Sequence, residues 1–344
     1  MDASYYPDSV IVDARVLREE FIPDEVQHRH SEVNRISSAL EPCLDGGDPE
    51  HTLLFGPTGT GKTCVAKYTL EQLQREAVYL DHQYVNCWQD YNRFRVVYRL
   101  LEGIGEAADI RRQSTPKDEL LERLRRAVTE PYVVILDEVD QLSDTKVLYD
   151  LYALPDVTMI LIANREEELF FHLDDRVASR LRGCARVSFD KYGVDELVQI
   201  LAKRGEWGLA PGAVSRAELE YVANTAAGDA RVAISILRSA AKYAQREGHE
   251  ELTEDLITSA VPEARDEIRQ KNIEKLNDHQ RALYEIIEEQ GEIDPTGLYE
   301  RYEARVDDPM TKRTLRNYLS KMEHYNLVEA IGENRSRTYR LKRP

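Results

Sequence analysis

"LLFGPTGTGKT" spans Leu53–Thr63. An apolar run ends at Phe55, glycines recur at 56, 59 and 61, and Lys62 and Thr63 open a stretch of helical periodicity. Gly56, Gly61, Lys62 and Thr63 match G-x-x-x-x-G-K-[ST] in full. "HTLLF" (51–55) before it reads as a short buried strand, and "CVAKYTLEQL" (64–73) after it as a helix. A strand, a glycine-rich turn and a helix in that order are the context this motif requires. Glycines let the backbone close around phosphate oxygens with several N–H groups turned inward, and the helix N-terminus adds partial positive charge. Gly56, Pro57, Thr58, Gly59, Thr60, Gly61, Lys62 and Thr63 are therefore the expected cradle for ATP or ADP. Lys62 is expected to reach the β- and γ-phosphates and Thr63 to ligate Mg²⁺.

A phosphate cradle needs an acidic strand end. "PYVVILDEVD" (131–140) is a continuous apolar run closing on Asp137 and Glu138. Unbroken apolar character predicts a strand of a parallel sheet covered on both faces, and ligands of such sheets bind beyond the strands' carboxyl ends. Asp137 is the expected Mg²⁺ partner and Glu138 the residue that orients the attacking water. "VTMILIAN" (157–164) is a third strand, with Asn164 placed to hydrogen-bond the γ-phosphate or that water. "DDRVASRLRGCARVSF" (174–189) then crowds Arg176, Arg180 and Arg182 ahead of a last strand, "ARVSF". An arginine here can reach a nucleotide on a neighbouring subunit.

Composition limits the rest. A chain of 344 residues is long enough for two or three domains. The formal net charge of −17 argues against a protein that coats nucleic acid generally, so any DNA contact must come from a local basic patch. Arginine outnumbers lysine and acidic residues are spread throughout, the balance expected of a surface kept hydrated in a salt-rich cytosol. Cys43, Cys64, Cys87 and Cys184 show no metal spacing and read as reduced thiols, and "HRH" at 28–30 is too little for a metal site. No apolar run approaches a membrane span, and the first residues lack a secretory pattern. A cytoplasmic protein is expected, with no membrane partner.

Phosphate loop, acidic strand, polar strand end, arginine cluster and a helical region follow one another as in AAA+ ATPases. "EEFIPDEVQHRHSEVNRI" (19–36) and "DDRVASRLRGCARVSFDKY" (174–192) sharpen the resemblance to the archaeal replication initiators of the origin-recognition and cell-division-control family. It covers the chain from about Phe21 onward. It implies an α/β AAA+ core with a parallel five-stranded sheet, a helical lid and a C-terminal winged helix. The corresponding boundaries are a flexible N-terminus at 1–20, the core at 21–190, the lid at 191–263, a linker at 264–276 and the winged helix at 277–344. The family's lid arginine falls on Arg231 in "GDARVAISILRSA" (228–240). A cation in the first turn of a helix opposes the helix dipole and calls for an anion nearby. Of the arginine cluster, Arg180 in "SR" fits the interfacial pattern first and Arg176 in "DDRV" second. The resemblance further implies origin DNA, a replicative minichromosome-maintenance-type helicase, and homo- or hetero-oligomers with related initiators as partners. Two other functions use the same parts: an ATP-controlled transcription or plasmid-maintenance regulator, and a clamp-loader-like ATPase acting on proteins.

The C-terminal stretch reverses the overall charge. From 310 to 344 there are nine Lys or Arg against three Glu. In "DPMTKRTLRNYLSKMEHYNLV" (308–328), Leu315, Leu319 and Met322, with Tyr318, form an apolar stripe, and Lys312, Arg313, Arg316, Asn317 and Ser320 fall largely on another face. That face is the candidate for a DNA groove, with Arg335, Arg337 and Arg340 of the following hairpin for phosphates or the minor groove. A core insertion is expected after the second strand "AVYLDHQYVN" (77–86) and the helix "YNRFRVVYRLLEGI" (91–104), whose apolar stripe is Phe94, Val97, Leu101 and Ile104. The insertion "GEAADIRRQST" (105–115) carries Arg111 and Arg112 as its cations.

Overall fold

The apolar runs ending at Phe55, Asp137 and Asn164 become neighbouring strands of one parallel sheet. The computed structural model describes residues 9–76, 80–110, 116–332 and 336–342, and the chain divides into two compact units, Met1–Ala260 and Val261–Pro344. The first unit runs through α1 (His30–Leu40), α2 (Pro42–Asp45), β1 (Thr52–Phe55), α3 (Lys62–Glu76), β2 (Asp81–Asn86), α4 (Arg93–Gly103) and α5 (Lys117–Ala127). It continues with β3 (Tyr132–Asp137), α6 (Lys146–Tyr152), β4 (Val157–Ala163), α7 (Glu166–His172), α8 (Asp175–Leu181) and β5 (Ala185–Ser188). The strand order is β2-β3-β4-β1-β5, every pairing parallel.

β3 and β4 are buried along their whole length, which is why their sequences do not alternate. Leu54, Val133, Ile135, Ile160 and Ile162 pack with Ile36 and Leu40 of α1 and Val65, Ala66 and Leu70 of α3. Leu53, Val134, Leu136 and Leu161 face the other way, toward side chains of α4 to α8. On α4 the buried stripe is Val96, Val97, Leu100 and Leu101, with Phe94 and Ile104 only partly covered. The face is rotated from the expected one because this helix packs on β2 and α5 together.

A helical region follows: α9 (Val194–Gly208), α10 (Arg216–Ala226), α11 (Ala230–Glu247) and α12 (Glu254–Glu274). Its boundaries are chemical. Ser215 and Glu218 make a capping box at α10. Asp229 caps α11 by accepting from Val232 N, and Gly248, with φ +77°, ends it. α12 runs unbroken through most of the stretch read as a linker, 264–276.

Mobility was expected of residues 1–20, and the first eight lie outside the described residues. The stretch 9–20 is instead tied to α9. Val10 and Leu17 are each 1% exposed, Ile11 bridges Leu209, and the buried Arg204 donates to the carbonyls of Val16, Arg18 and Phe21 at 2.5, 3.3 and 3.0 Å. Burying a guanidinium is tolerable only with such partners.

The second unit holds the end of α12, then α13 (Asp278–Gln290), β6 (Glu292–Ile293), α14 (Pro295–Arg305), α15 (Lys312–His324), β7 (Val328–Ile331) and β8 (Thr338–Leu341). β6-β8-β7 form an antiparallel sheet. This is the element order of a winged helix, with β6 added to the expected three helices and hairpin. Leu283, Ile287, Leu298, Tyr302, Leu319, Met322 and Leu327 are among its buried side chains.

Candidate nucleotide site and nucleic-acid face

The loop between β1 and α3 is shaped by glycines and braced by its own lysine. Gly59 and Gly61 have φ of +72° and +91°. Lys62 Nζ donates to the carbonyls of Gly56 and Pro57 at 2.6 and 2.7 Å. Thr60 Oγ1 donates to Pro57 O at 2.9 Å. The lid closes on this loop, since Ala230 N, at the start of α11, donates to Gly59 O at 3.0 Å. A Cβ on Gly59 would lie 1.9 Å from Asp229 Oδ1. Gly59→Ala is therefore expected to lower the melting temperature and weaken ATP binding roughly tenfold, from positive-φ strain plus that clash. Scanning fluorimetry with and without ATP checks it, and an ATP-induced shift equal to wild type contradicts it.

The acidic end of β3 meets the first turn of α3. Thr63 Oγ1 donates to Asp137 Oδ2 at 2.8 Å, and Tyr84 OH, from β2, donates to the same oxygen at 2.9 Å. Burial and the Asp137 charge push the Tyr84 phenol far up, so it stays a donor. Glu138 has a left-handed backbone, φ +56°, an uncommon conformation for a residue with a side chain and one that recurs at functional sites. β1 and β4 pair Phe55 with Ala163, so Asn164 continues β4 at the level of Gly56. The structure thus brings Gly56–Thr63, Asp137, Glu138 and Asn164 to one end of the sheet.

Nucleotide and Mg²⁺ fit these residues on two observations. The loop is a cradle in which Cβ atoms at Gly56 and Gly59 have no room, the former falling 2.1 Å from Phe189 O. Arg231, in the first turn of α11, has a buried Nε with no hydrogen-bond partner, as a cation awaiting an anion would. Among the described residues no group of three or more His, Cys, Asp or Glu could hold a metal. Thr63 with one carboxylate suits a cation that keeps waters and takes its other ligands from phosphates.

In the second unit, Leu315, Tyr318, Leu319 and Met322 of α15 are buried, whereas Lys312, Arg313, Arg316, Asn317 and Ser320 are exposed. Lys312 Nζ lies 4.4 Å from the Tyr299 ring centroid. Arg337 departs from the expected free phosphate contact: it is half-buried, pairs with Glu323 at 3.3 Å and stacks on Tyr339 at 5.2 Å. Arg340 pairs with Glu329 at 2.5 Å. Arg335, Arg111 and Arg112 lie outside the described residues.

Residues 46–170 match the model of an AAA domain, and residues 198–261 match that of the Cdc6 AAA+ ATPase-type lid domain. The ORC1-type DNA replication protein 1 of Halobacterium salinarum is 54% identical over 308 residues, covering 90% of this chain and all of the relative (100%). ORC1-type DNA replication protein 9 of the same organism is 48% identical over 98% of this chain and 96% of its own. The chain belongs to the ORC1-type DNA replication proteins. Among solved structures, the Aeropyrum pernix ORC1 protein in complex with DNA superposes with a TM-score of 0.77 at 27% identity, covering 97% of this chain and 94% of that one.

Within this ORC1-type chain, Arg180 does not join the phosphate site. Its guanidinium lies 5.4 Å from the Tyr152 ring centroid, and Tyr152 packs on His51 at 4.8 Å. His51 precedes β1 while the loop follows it, so Arg180 sits toward the opposite end of the sheet. Arg176, Arg180 and Arg182 are all exposed. Sequence reading missed three side chains at the site: Tyr84, Arg29 and Tyr192. Arg29 is 6% exposed and lies beneath the loop, its Nε donating to Thr60 O at 3.2 Å. "HRH" does contain it, but its partners on the loop and past β5 are far along the chain. All four cysteines are free thiols, three of them buried and Cys64 partly so. No helix among the described residues is long and apolar enough to cross a membrane.

Proposed function

We infer that this ORC1-type protein is an ATP-dependent replication initiator that engages double-stranded origin DNA through the exposed face of α15. The observation that carries the reading is the pairing of a complete phosphate cradle with a cationic helix face in an otherwise acidic chain. A relative of 27% identity is described in complex with DNA, which supports the same use here.

Gly56–Thr63 would hold the phosphates through backbone N–H groups, and Lys62 and Arg231 would approach them from loop and lid. Thr63 and Asp137 would hold Mg²⁺, which neutralises phosphate charge when bound. Glu138 would orient the attacking water and Asn164 would hydrogen-bond it or the terminal phosphate. Arg180 lies away from its own loop and would serve the nucleotide of a neighbouring copy, in a homo-oligomer or beside a related initiator on DNA. Hydrolysis would be slow and act as a switch, and the ATP-bound, nucleoid-associated protein would help recruit a minichromosome-maintenance-type helicase. Lys312, Arg313, Arg316 and Asn317 would meet the duplex. Arg111, Arg112 and Arg335 remain candidates from sequence, and Arg337 is the weaker one, held by Glu323.

Fluorescence anisotropy with origin and scrambled duplexes, with and without ATP, tests this. Origin DNA should bind more tightly, and ATP should change the preference. Arg316→Ala should weaken binding about tenfold and, if Arg316 meets a phosphate, reduce the salt slope by about one. Equal weak binding to both duplexes, unaltered by Arg316→Ala, overturns the reading.

A further inference from the structure

Arg29 is a buried cation with five attachments, spread over three different parts of the nucleotide fold. Its Nε donates to Thr60 O in the phosphate loop at 3.2 Å. Its Nη2 donates to Asp190 O, just past β5, at 2.6 Å. Its Nη1 pairs with Glu32 of α1 at 2.9 Å. The guanidinium also lies 4.1 Å from the centroid of the Tyr192 ring and 5.4 Å from that of Phe189. Phe189 to Tyr192 form the junction between the sheet and α9, the only covalent link from core to lid in the chain order.

The far side of that junction returns to the loop. Tyr192 N donates to Gly228 O at 3.3 Å, and Ala230 N donates to Gly59 O at 3.0 Å. The hydroxyl of Tyr192 lies 2.7 Å from where a Cβ of Gly61 would be. Loop, Arg29, junction, Gly228 and the start of α11 thus form a closed ring of contacts. Arg231, the lid's phosphate candidate, follows the last member directly.

Two features show that the position of Arg29 is built. The residue before it, His28, is held in a left-handed backbone with φ +60°, which for a residue with a Cβ persists only where the surroundings impose it. The charge is matched by Glu32, whose carboxyl burial would raise but whose hydrogen bonds from Ser31 and Arg29 bring below its ordinary range. A planar guanidinium presents donors in a rigid fork and can stack on a ring while bonding two carbonyls. Lysine has the charge but not the fork.

We propose that Arg29 is a positioning residue that couples the phosphate loop to the lid, so that occupation of the loop sets where α11 and Arg231 stand. Arg29 acts through Thr60 on one side and Asp190 and Tyr192 on the other. It can act in this way only if a nucleotide sits on Gly56–Thr63, the reading given above.

Hydrogen–deuterium exchange of the full chain, with and without saturating ATP, tests both levels. In wild type, ATP should slow exchange in residues 56–63 and in residues 226–233. In Arg29→Lys, protection of 56–63 should persist while that of 226–233 falls about tenfold, an outcome a merely structural role would not separate. Tyr192→Leu, which removes the ring under the guanidinium, should do the same and decides the matter if Arg29→Lys does not fold. Loop protection with undiminished lid protection in the folded variants overturns the coupling alone. Absence of loop protection in wild type overturns the nucleotide reading and the coupling with it.

Discussion

Replacing Lys62 by alanine should leave the sheet and lid folded and lower ATP affinity by roughly 10²–10³-fold. Two effects combine. The ammonium is the only side-chain cation within the loop motif, and charge-assisted hydrogen bonds to phosphate are each worth about 1.5–3 kcal/mol. Lys62 Nζ also ties together the carbonyls of Gly56 and Pro57, so alanine frees the loop backbone as well and adds an ordering cost to binding. Lys62 is 7% exposed, and two of its partners there are carbonyls of its own loop. Isothermal titration with ATP and ADP, alongside a thermal melt, separates binding from folding. An unchanged melt with wild-type ATP affinity would show that the loop does not hold the phosphates.

Glu138→Gln should separate binding from turnover. The amide keeps the size of the side chain and the left-handed turn at φ +56°, so nucleotide affinity should be retained. The carboxylate that would orient the water is lost, and general-base contributions of this kind amount to about 10²–10⁴-fold. Steady-state phosphate release should fall by that factor, and ATP-dependent DNA binding should survive in a form that resets slowly. Turnover within tenfold of wild type would move the role to another residue. Asp137 is a poorer probe: it accepts from both Thr63 and Tyr84, and replacing it disturbs two half-buried donors at once.

Much of this site was legible because its parts are local. Gly56–Thr63 is one contiguous stretch whose glycines, lysine and threonine carry their own geometry. The unbroken apolar runs at 132–137 and 157–163 announced strands covered on both faces. The stripe Leu315, Leu319 and Met322 placed the charged face of α15 through helical periodicity alone. In the structure, caps at Ser215, Asp229, Asn277 and Thr311 fix the helix starts by hydrogen bonds that are likewise local, spanning only a few residues.

Tertiary structure decided what depends on residues far apart in the chain. Arg29 finds Thr60 across 31 positions and Asp190 across 161, and Tyr84 finds Asp137 across 53; no local pattern marks such pairs. The stretch 9–20 carries no strong helical or strand pattern, and it packs because Arg204, on α9, supplies donors for its carbonyls. Arg337 looked like a free cation until β8 brought it beside Glu323. Arg180 comes soon after the polar strand end at Asn164 in sequence yet sits toward the other end of the sheet in space. Sequence by itself determined the repeating backbone states and the phosphate-binding turn, since short-range sterics and hydrogen bonds settle both. Which side chains share a site was decided by strand order and helix packing, where partners distant along the chain meet only once the core has closed.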